Sequence, residues 1–109
     1  MAYDEALAER VREVIADRAD IAELKMFGGI GFTIGGNMAV GVINDDLIVR
    51  LDPADAEKAL AEDGVREFDF TGRPMKGWIF VGSERTEEDD GLAEWVEAGA
   101  HFAASLPPK

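Results

Sequence analysis

The stretch from Lys25 to Leu51, KMFGGIGFTIGGNMAVGVINDDLIVRL, constrains the chain more than any other. It is dense in apolar and β-favouring residues, carries few charges, and is broken by turn chemistry. Gly28-Gly29 sets a turn or bulge, since glycine reaches positive φ without steric cost. Ile30 to Ile34 reads as a short strand. Gly35-Gly36-Asn37 is a hairpin signal. Met38 to Ile43 is the next strand, with Met38, Val40 and Val42 on one face and Ala39, Gly41 and Ile43 on the other. Asn44-Asp45-Asp46 turns the chain again, and Leu47 to Leu51 alternates as a further strand. The pattern is that of the central meander of an antiparallel sheet.

The flanks are expected to fold onto this meander. Asp4 can cap an amphipathic helix in which Leu7, Val11, Val14 and Ile15 recur at helical spacing, ending near Arg18 to Asp20. Ile21 to Phe27 leads into the sheet. Asp52-Pro53 is a helix start, a cap residue followed by proline at the first helical position, and Gly64 is placed to end that helix. Val65 to Phe70 alternates as a strand and Thr71 to Met75 is a loop. Lys76 to Val81 is a strand with Trp78 and Phe80 on one face and Ile79 and Val81 on the other. From Asp89-Asp90 a closing helix carries Leu92, Trp95, Val96, Gly99, Phe102, Ala103 and Leu106 in one stripe, until Pro107-Pro108 stops it.

The order is helix, three or four strands, helix, two strands, helix. Short turns between consecutive strands imply an antiparallel sheet with helices over one face, a two-layer α+β class. Ile43, Ile48, Ile79 and Val81 suggest a second face that is not fully polar. An uncovered apolar sheet face is often an oligomer interface, so a homodimer is expected.

The 109 residues suit one domain, 1–109, and are enough to bury roughly two-thirds of the unfolded surface. No apolar run approaches the ~20 residues of a membrane span. The acidic start lacks the basic and apolar regions of a signal peptide. A cytoplasmic protein without membrane association is expected. The net charge of −12 argues against direct nucleic-acid binding, because phosphate contacts need clustered Lys and Arg. The lack of cysteine removes disulfides, thiol nucleophiles and thiolate metal sites.

Tests for chemistry by spacing mostly fail. The glycines from Gly28 to Gly36 match neither the dinucleotide nor the phosphate-loop pattern: Gly29 and Gly31 are followed by Ile34, and Asn37 stands where the phosphate loop needs lysine. His101, the lone histidine, has only Glu94 and Glu97 at helical spacing, too few for a metal. The run Glu87-Glu88-Asp89-Asp90 lacks the alternating ligands and central glycine of a calcium loop. Ser83 and Ser105 lie in no nucleophile elbow. No catalytic residue, metal or cofactor is expected. The stretch Phe70-Thr71-Gly72-Arg73-Pro74-Met75-Lys76-Gly77-Trp78 is locally positive in a very negative chain. Arg, Met and Trp are common interface anchors. The structural reading of the same residues has Trp78 as core, Met75 filling a gap and the two cations paired to nearby acids.

These residues also carry a family resemblance. Lys25-Met26-Phe27-Gly28-Gly29, then Gly36 to Val42, then Asp46 to Leu51, resemble the N-terminal domain of the TfoX/Sxy competence-regulator family. The Phe70 to Trp78 stretch and the Trp95 helix resemble its small stand-alone members. The resemblance covers nearly the whole chain. It implies a secretion-chaperone-like fold of α-β(3)-α-β(2)-α type, commonly dimeric. It also implies a tie to transcriptional control of DNA uptake through a cAMP-receptor-type activator. The C-terminal helical domain of full-length members is expected to be absent, and the family supplies no catalytic residues.

The expectation is therefore a non-enzymatic interaction module with a regulatory role, partnered by itself and by an unidentified protein. Met75 and Trp78 would anchor the partner, Arg73 and Lys76 would orient it, and Gly28-Gly29 would shape an adjacent turn. The alternative is a small-molecule binder or small enzyme using a cleft near Trp78, Trp95 and His101.

Overall fold

In the computed structural model, which describes residues 3–26, 28–69, 72–73 and 75–108, Asp4 opens the first helix. Its carboxylate accepts from the backbone N–H groups of Ala6 and Leu7 at 2.9 and 3.1 Å. These are two of the donors that the first turn of a helix leaves unpaired. Helix α1 (Glu5–Ile15) ends a few residues earlier than its polar tail suggests.

Four strands follow as consecutive antiparallel neighbours: β1 (Ile21–Met26), β2 (Gly29–Ile34), β3 (Asn37–Ile43) and β4 (Asp46–Arg50). The β2–β3 turn has φ of 60° at Gly35 and 84° at Gly36, the paired positive values of a type I′ hairpin. Asp52 caps α2 (Pro53–Ala59), its carboxylate accepting from the Ala54 N–H at 3.0 Å. That helix ends at Ala59 with Leu60 as its C-terminal cap. Gly64, expected to close it, sits in the following turn instead, where its carbonyl accepts from the Gly82 N–H at 2.8 Å.

The next strands are β5 (Val65–Glu67) and β6 (Trp78–Val81), and a single 3₁₀ turn (Ser83–Arg85) leads to α3 (Asp89–Ser105). Strand β6 inserts between β4 and β5, so the six-stranded sheet runs β1-β2-β3-β4-β6-β5. The chain is an antiparallel α+β fold, with four strands before α2 rather than the three of the α-β(3)-α-β(2)-α description. Phe27, Phe70, Thr71 and Pro74 lie outside the described residues.

The two faces of the sheet are buried differently. On one face, Phe32, Val40, Val42, Leu47, Val49, Ile79 and Val81 meet Leu7, Val11 and Ile15 of α1 and Leu92, Val96, Ala100 and Ala103 of α3 in one continuous core. Each such side chain, fully removed from water, contributes about 1.5–3 kcal/mol before entropy is charged against it. On the other face, Ile43, Ile48 and Phe80 form a smaller cluster with Phe68, and Met75 and Trp78 pack on it. The expectation that Ile79 and Val81 share that second face with Ile43 and Ile48 is corrected: cross-strand pairing puts Ile79 opposite Val49 and Val81 opposite Leu47, towards the helices. Nor is the second face bare at Ile48, which Phe68, Met75 and Trp78 help to seal to 0% exposure.

A β-bulge explains a second correction. The β2–β3 register steps from Phe32↔Val40 to Thr33↔Met38, leaving Ala39 as the extra residue. The bulge reverses the alternation on its far side. Met38 therefore leaves the Val40 and Val42 face and lies over Gly31 and Gly41 on the opposite one. Gly99 of α3 packs against the bulge so closely that a Cβ there would stand 2.5 Å from the Ala39 carbonyl oxygen and 2.8 Å from Val40 Cγ1.

Arg12 ties α1 to β1. Its Nε and Nη2 donate to the Glu23 carboxylate, each at 2.9 Å, and Nη1 donates to Glu9 at 2.9 Å. The guanidinium hydrogen bonds outweigh partial burial and hold the Glu23 carboxyl below the ordinary carboxylate range. The same bonds raise the Arg12 pKa.

Candidate functional site

The segment from Phe68 to Trp78 is fixed by backbone bonds at its roots. The Met75 N–H donates to the Phe68 carbonyl at 3.1 Å, the Trp78 N–H to Met75 at 3.1 Å, and the Leu51 N–H to Gly77 at 2.7 Å. Gly77 has φ 86°, and a Cβ there would stand 2.8 Å from the Leu51 carbonyl oxygen, so glycine is what lets this segment close onto the end of β4.

A cleft of about 630 Å³ opens between this segment and α2. Pro53, Ala56, Leu60, Met75 and Trp78 supply apolar walls, while Glu57, Glu67 and Lys76 line it with charge. The Trp78 ring lies 5.5 Å from Phe68 on one side and 5.6 Å from the Arg50 guanidinium on the other. The half-buried indole is thus held by a cation–π contact rather than by full enclosure.

Of the residues singled out in the sequence, the structure brings Met75, Lys76 and Trp78 together at this cleft. Arg73 is exposed in the loop that leads to it. Gly28, with φ 79°, and Gly29 belong to the β1–β2 turn, at the far ends of the strands from the Trp78–Arg50 pair and three strands away. A Cβ on Gly29 would strike the Val42 carbonyl and stand 2.8 Å from Ile43 Cγ1, so its role is close strand packing.

Charge pairing separates the cations. Arg10, Arg12, Arg18, Arg66 and Arg85 bond to Asp89, Glu9 with Glu23, Glu97, Asp46 and Glu62 at 2.8–3.1 Å. Among the described residues, Arg73 and Lys76, like Lys25 and Lys58, make no ion pair.

Trp95 and His101 do share a cleft, but a different one. It has about 560 Å³ and lies between α2 and α3, with Phe102, Leu51 and Ala59 beside them and Asp52, Asp55, Lys58 and Glu62 around them. Trp78 lines the other side of α2, so the single cleft expected near Trp78, Trp95 and His101 is divided in two. His101 is exposed, and Glu97, its neighbour at helical spacing, bonds to Arg18 at 3.1 Å. No group of three acidic, histidine or cysteine side chains that could hold a metal ion occurs among the described residues. No helix among them is long and apolar enough to cross a membrane.

Sequence reasoning missed Arg50. It stacks on Trp78 at 5.6 Å and on Phe102 at 5.5 Å, and so joins the rims of the two clefts around the end of the sheet. The only signal was a cation ending an apolar strand. Its meaning depended on β6 pairing Trp78 directly with Arg50.

Fold and cleft together define a small two-layer α+β domain whose described residues assemble an apolar, partly charged concavity. The family model of the TfoX N-terminal domain matches residues 13–103, and the chain belongs to that family. No curated protein and no solved structure matches it.

Proposed function

We propose that this domain is a non-enzymatic protein-interaction module with a regulatory role, in keeping with the link of the TfoX family to competence, and that it works as a homodimer. The cleft between α2 and the Met75–Trp78 segment would receive a partner segment. Trp78 and Met75 would supply apolar contact, and Lys76 and Arg73 would orient acidic or polar groups of the partner. The observation that carries this reading is the half-buried Trp78 beside Met75 and Lys76 in an apolar-walled cleft. Elsewhere the arginines are spent on ion pairs or ring stacking, and flexible methionine beside aromatic surface suits adaptable contacts. Capture from native lysate with wild-type protein and with the Arg73→Ala/Met75→Ala/Lys76→Ala variant tests it. A protein retained by wild type and lost by the variant is expected. Retention of the same proteins by both would overturn the assignment.

A second reading rests on Trp95 and His101 facing one cleft. A small molecule bound there would raise the melting temperature of wild type and not of His101→Ala. A metabolite screen without such a shift would remove this reading.

A further inference from the structure

The sheet has two edges, and they are treated differently. Strand β5 is three residues long, and its Arg66 is occupied by Asp46 at 2.8 Å and by the Phe80 ring at 5.1 Å. Strand β1 is six residues long and, among the described residues, has no neighbouring strand on its outer side. Open edges of this length invite another strand unless something blunts them.

The hydrogen-bond parity of β1 can be read directly. The Gly35 N–H donates to the Asp20 carbonyl at 3.0 Å, and the Ala22 carbonyl accepts from Thr33 Oγ1 at 3.5 Å. In an antiparallel ladder these groups alternate, so Asp20, Ala22, Leu24 and Met26 spend their backbone groups on β2. Ile21, Glu23 and Lys25 direct theirs outwards. Any antiparallel strand added here must pair through those three residues.

For a second copy of the same strand, few registers satisfy that parity. One places Glu23 across from Glu23 and another Lys25 across from Lys25, both like-charge pairs that destabilise a ladder. The register with Leu24 on the two-fold axis instead sets Glu23 opposite the partner copy's Lys25, twice. On the face away from the helices it sets Leu24 against Leu24 and Ala22 against Met26. Leu24 is the exposed large apolar side chain of the described residues, at 43%. It lies opposite Gly31, on the same face as Met26 and Met38.

We infer that a second copy of this chain pairs antiparallel along β1 with Leu24 on the two-fold axis, joining two six-stranded sheets into one. This rests on the homodimer reading above and specifies its surface, independently of the Trp78 cleft. It is an isologous contact: the same edge serves both copies, and pairing leaves no β1 edge free for further growth.

The absence of cysteine from the chain makes the test clean. Wild type, Lys25→Glu and the charge-swapped Glu23→Lys/Lys25→Glu, the last also carrying Arg12→Gln so that no cation faces the new lysine within one copy, are compared by analytical ultracentrifugation at ~0.15 M salt, where charge repulsion is screened beyond about 8 Å. Leu24→Cys and Glu23→Cys are oxidised separately, and circular dichroism checks that each variant folds. The expected results are a wild-type mass of twice 11.8 kDa, its halving in Lys25→Glu, and its recovery in the swapped variant. A covalent dimer should form from Leu24→Cys and not from Glu23→Cys. A monomeric wild type would overturn both this inference and the homodimer reading. A dimer that survives Lys25→Glu and leaves Leu24→Cys uncrosslinked would overturn this inference alone, with the copies meeting elsewhere.

Discussion

One face of the sheet is covered by two long helices and the other by Phe68, Met75 and Trp78, and only the second adds methionines to its β-branched and aromatic side chains. The helix-covered face is filled by β-branched and aromatic side chains that meet equally fixed side chains of α1 and α3. Where the helix comes closest, at Gly99, it touches backbone. The other face has a floor of Gly31 and Gly41, with the ends of Met26 and Met38 laid across it and Phe68, Met75 and Trp78 closing one side. The first is a rigid core. The second sets the flexible side chains of Met26, Met38 and Met75 beside a smaller cluster of Ile43, Ile48, Phe68 and Phe80, and the proposed partner cleft adjoins it. A sheet can therefore keep its stability on one face and its capacity to respond on the other.

The sharpest way to break this comparison is to truncate one buried phenylalanine on each side. Phe32→Ala should cost about 3–5 kcal/mol, because fixed helices cannot collapse into the space. Phe68→Ala should cost less, about 2–3 kcal/mol, since the segment that carries it can open without the rest unfolding. Urea denaturation measures both, and equal losses would erase the distinction. Hydrogen exchange should agree, with the Met75 and Trp78 amides exchanging through a cheaper opening than those of β3.

Adding one methyl group tests the same contrast from the other direction. Gly99→Ala should destabilise by about 1–3 kcal/mol despite better helix propensity, because the Ala39 carbonyl cannot retreat. Gly31→Ala should cost less than Gly99→Ala, about 1 kcal/mol or under, because its nearest neighbours are the flexible ends of Met26 and Met38. Thermal melts of the two variants would show whether the second face yields as its composition implies.

The smallest effect concerns the edge of the helix-covered face. Arg12 keeps the Glu23 pKa below the ordinary carboxylate value, so this pair's contribution is complete above that value and is lost as pH falls through the depressed folded pKa. Both side chains are about a third or more exposed, which limits the contribution to roughly 0.2–1 kcal/mol. The stability gap between wild type and Glu23→Gln, measured on dilute protein, should be full at pH 7 and close in acid.

What the sequence made legible was local. Asp4 and Asp52 cap helices through neighbouring N–H groups, and Gly35-Gly36 supplies the paired positive φ values of its hairpin. What it hid was long-range. Met38 changes face because of a bulge answering to β2 and α3. Ile79 and Val81 could be assigned a face only once β6 was known to lie beside β4. The candidate site divides in the same way. Met75, Lys76 and Trp78 are close in sequence and meet at one cleft. The set of Trp78, Trp95 and His101 joined distant residues, and α2 stands between them.

The strand order also sets a timetable. The first four strands are a meander of nearest neighbours, able to form as the chain leaves the ribosome, since local pairings close early. Yet α3, made after every strand, covers β2, β3 and β4 and packs on α1. Until its final turns emerge, Val40, Val42 and Val49 have no helix α3 above them. The nascent sheet passes through an interval of exposed apolar surface, when chaperones would engage it. Ribosome-stalled chains ending before Asp89 should be degraded by added protease much faster than chains with α3 fully extruded, and equal survival would contradict that schedule.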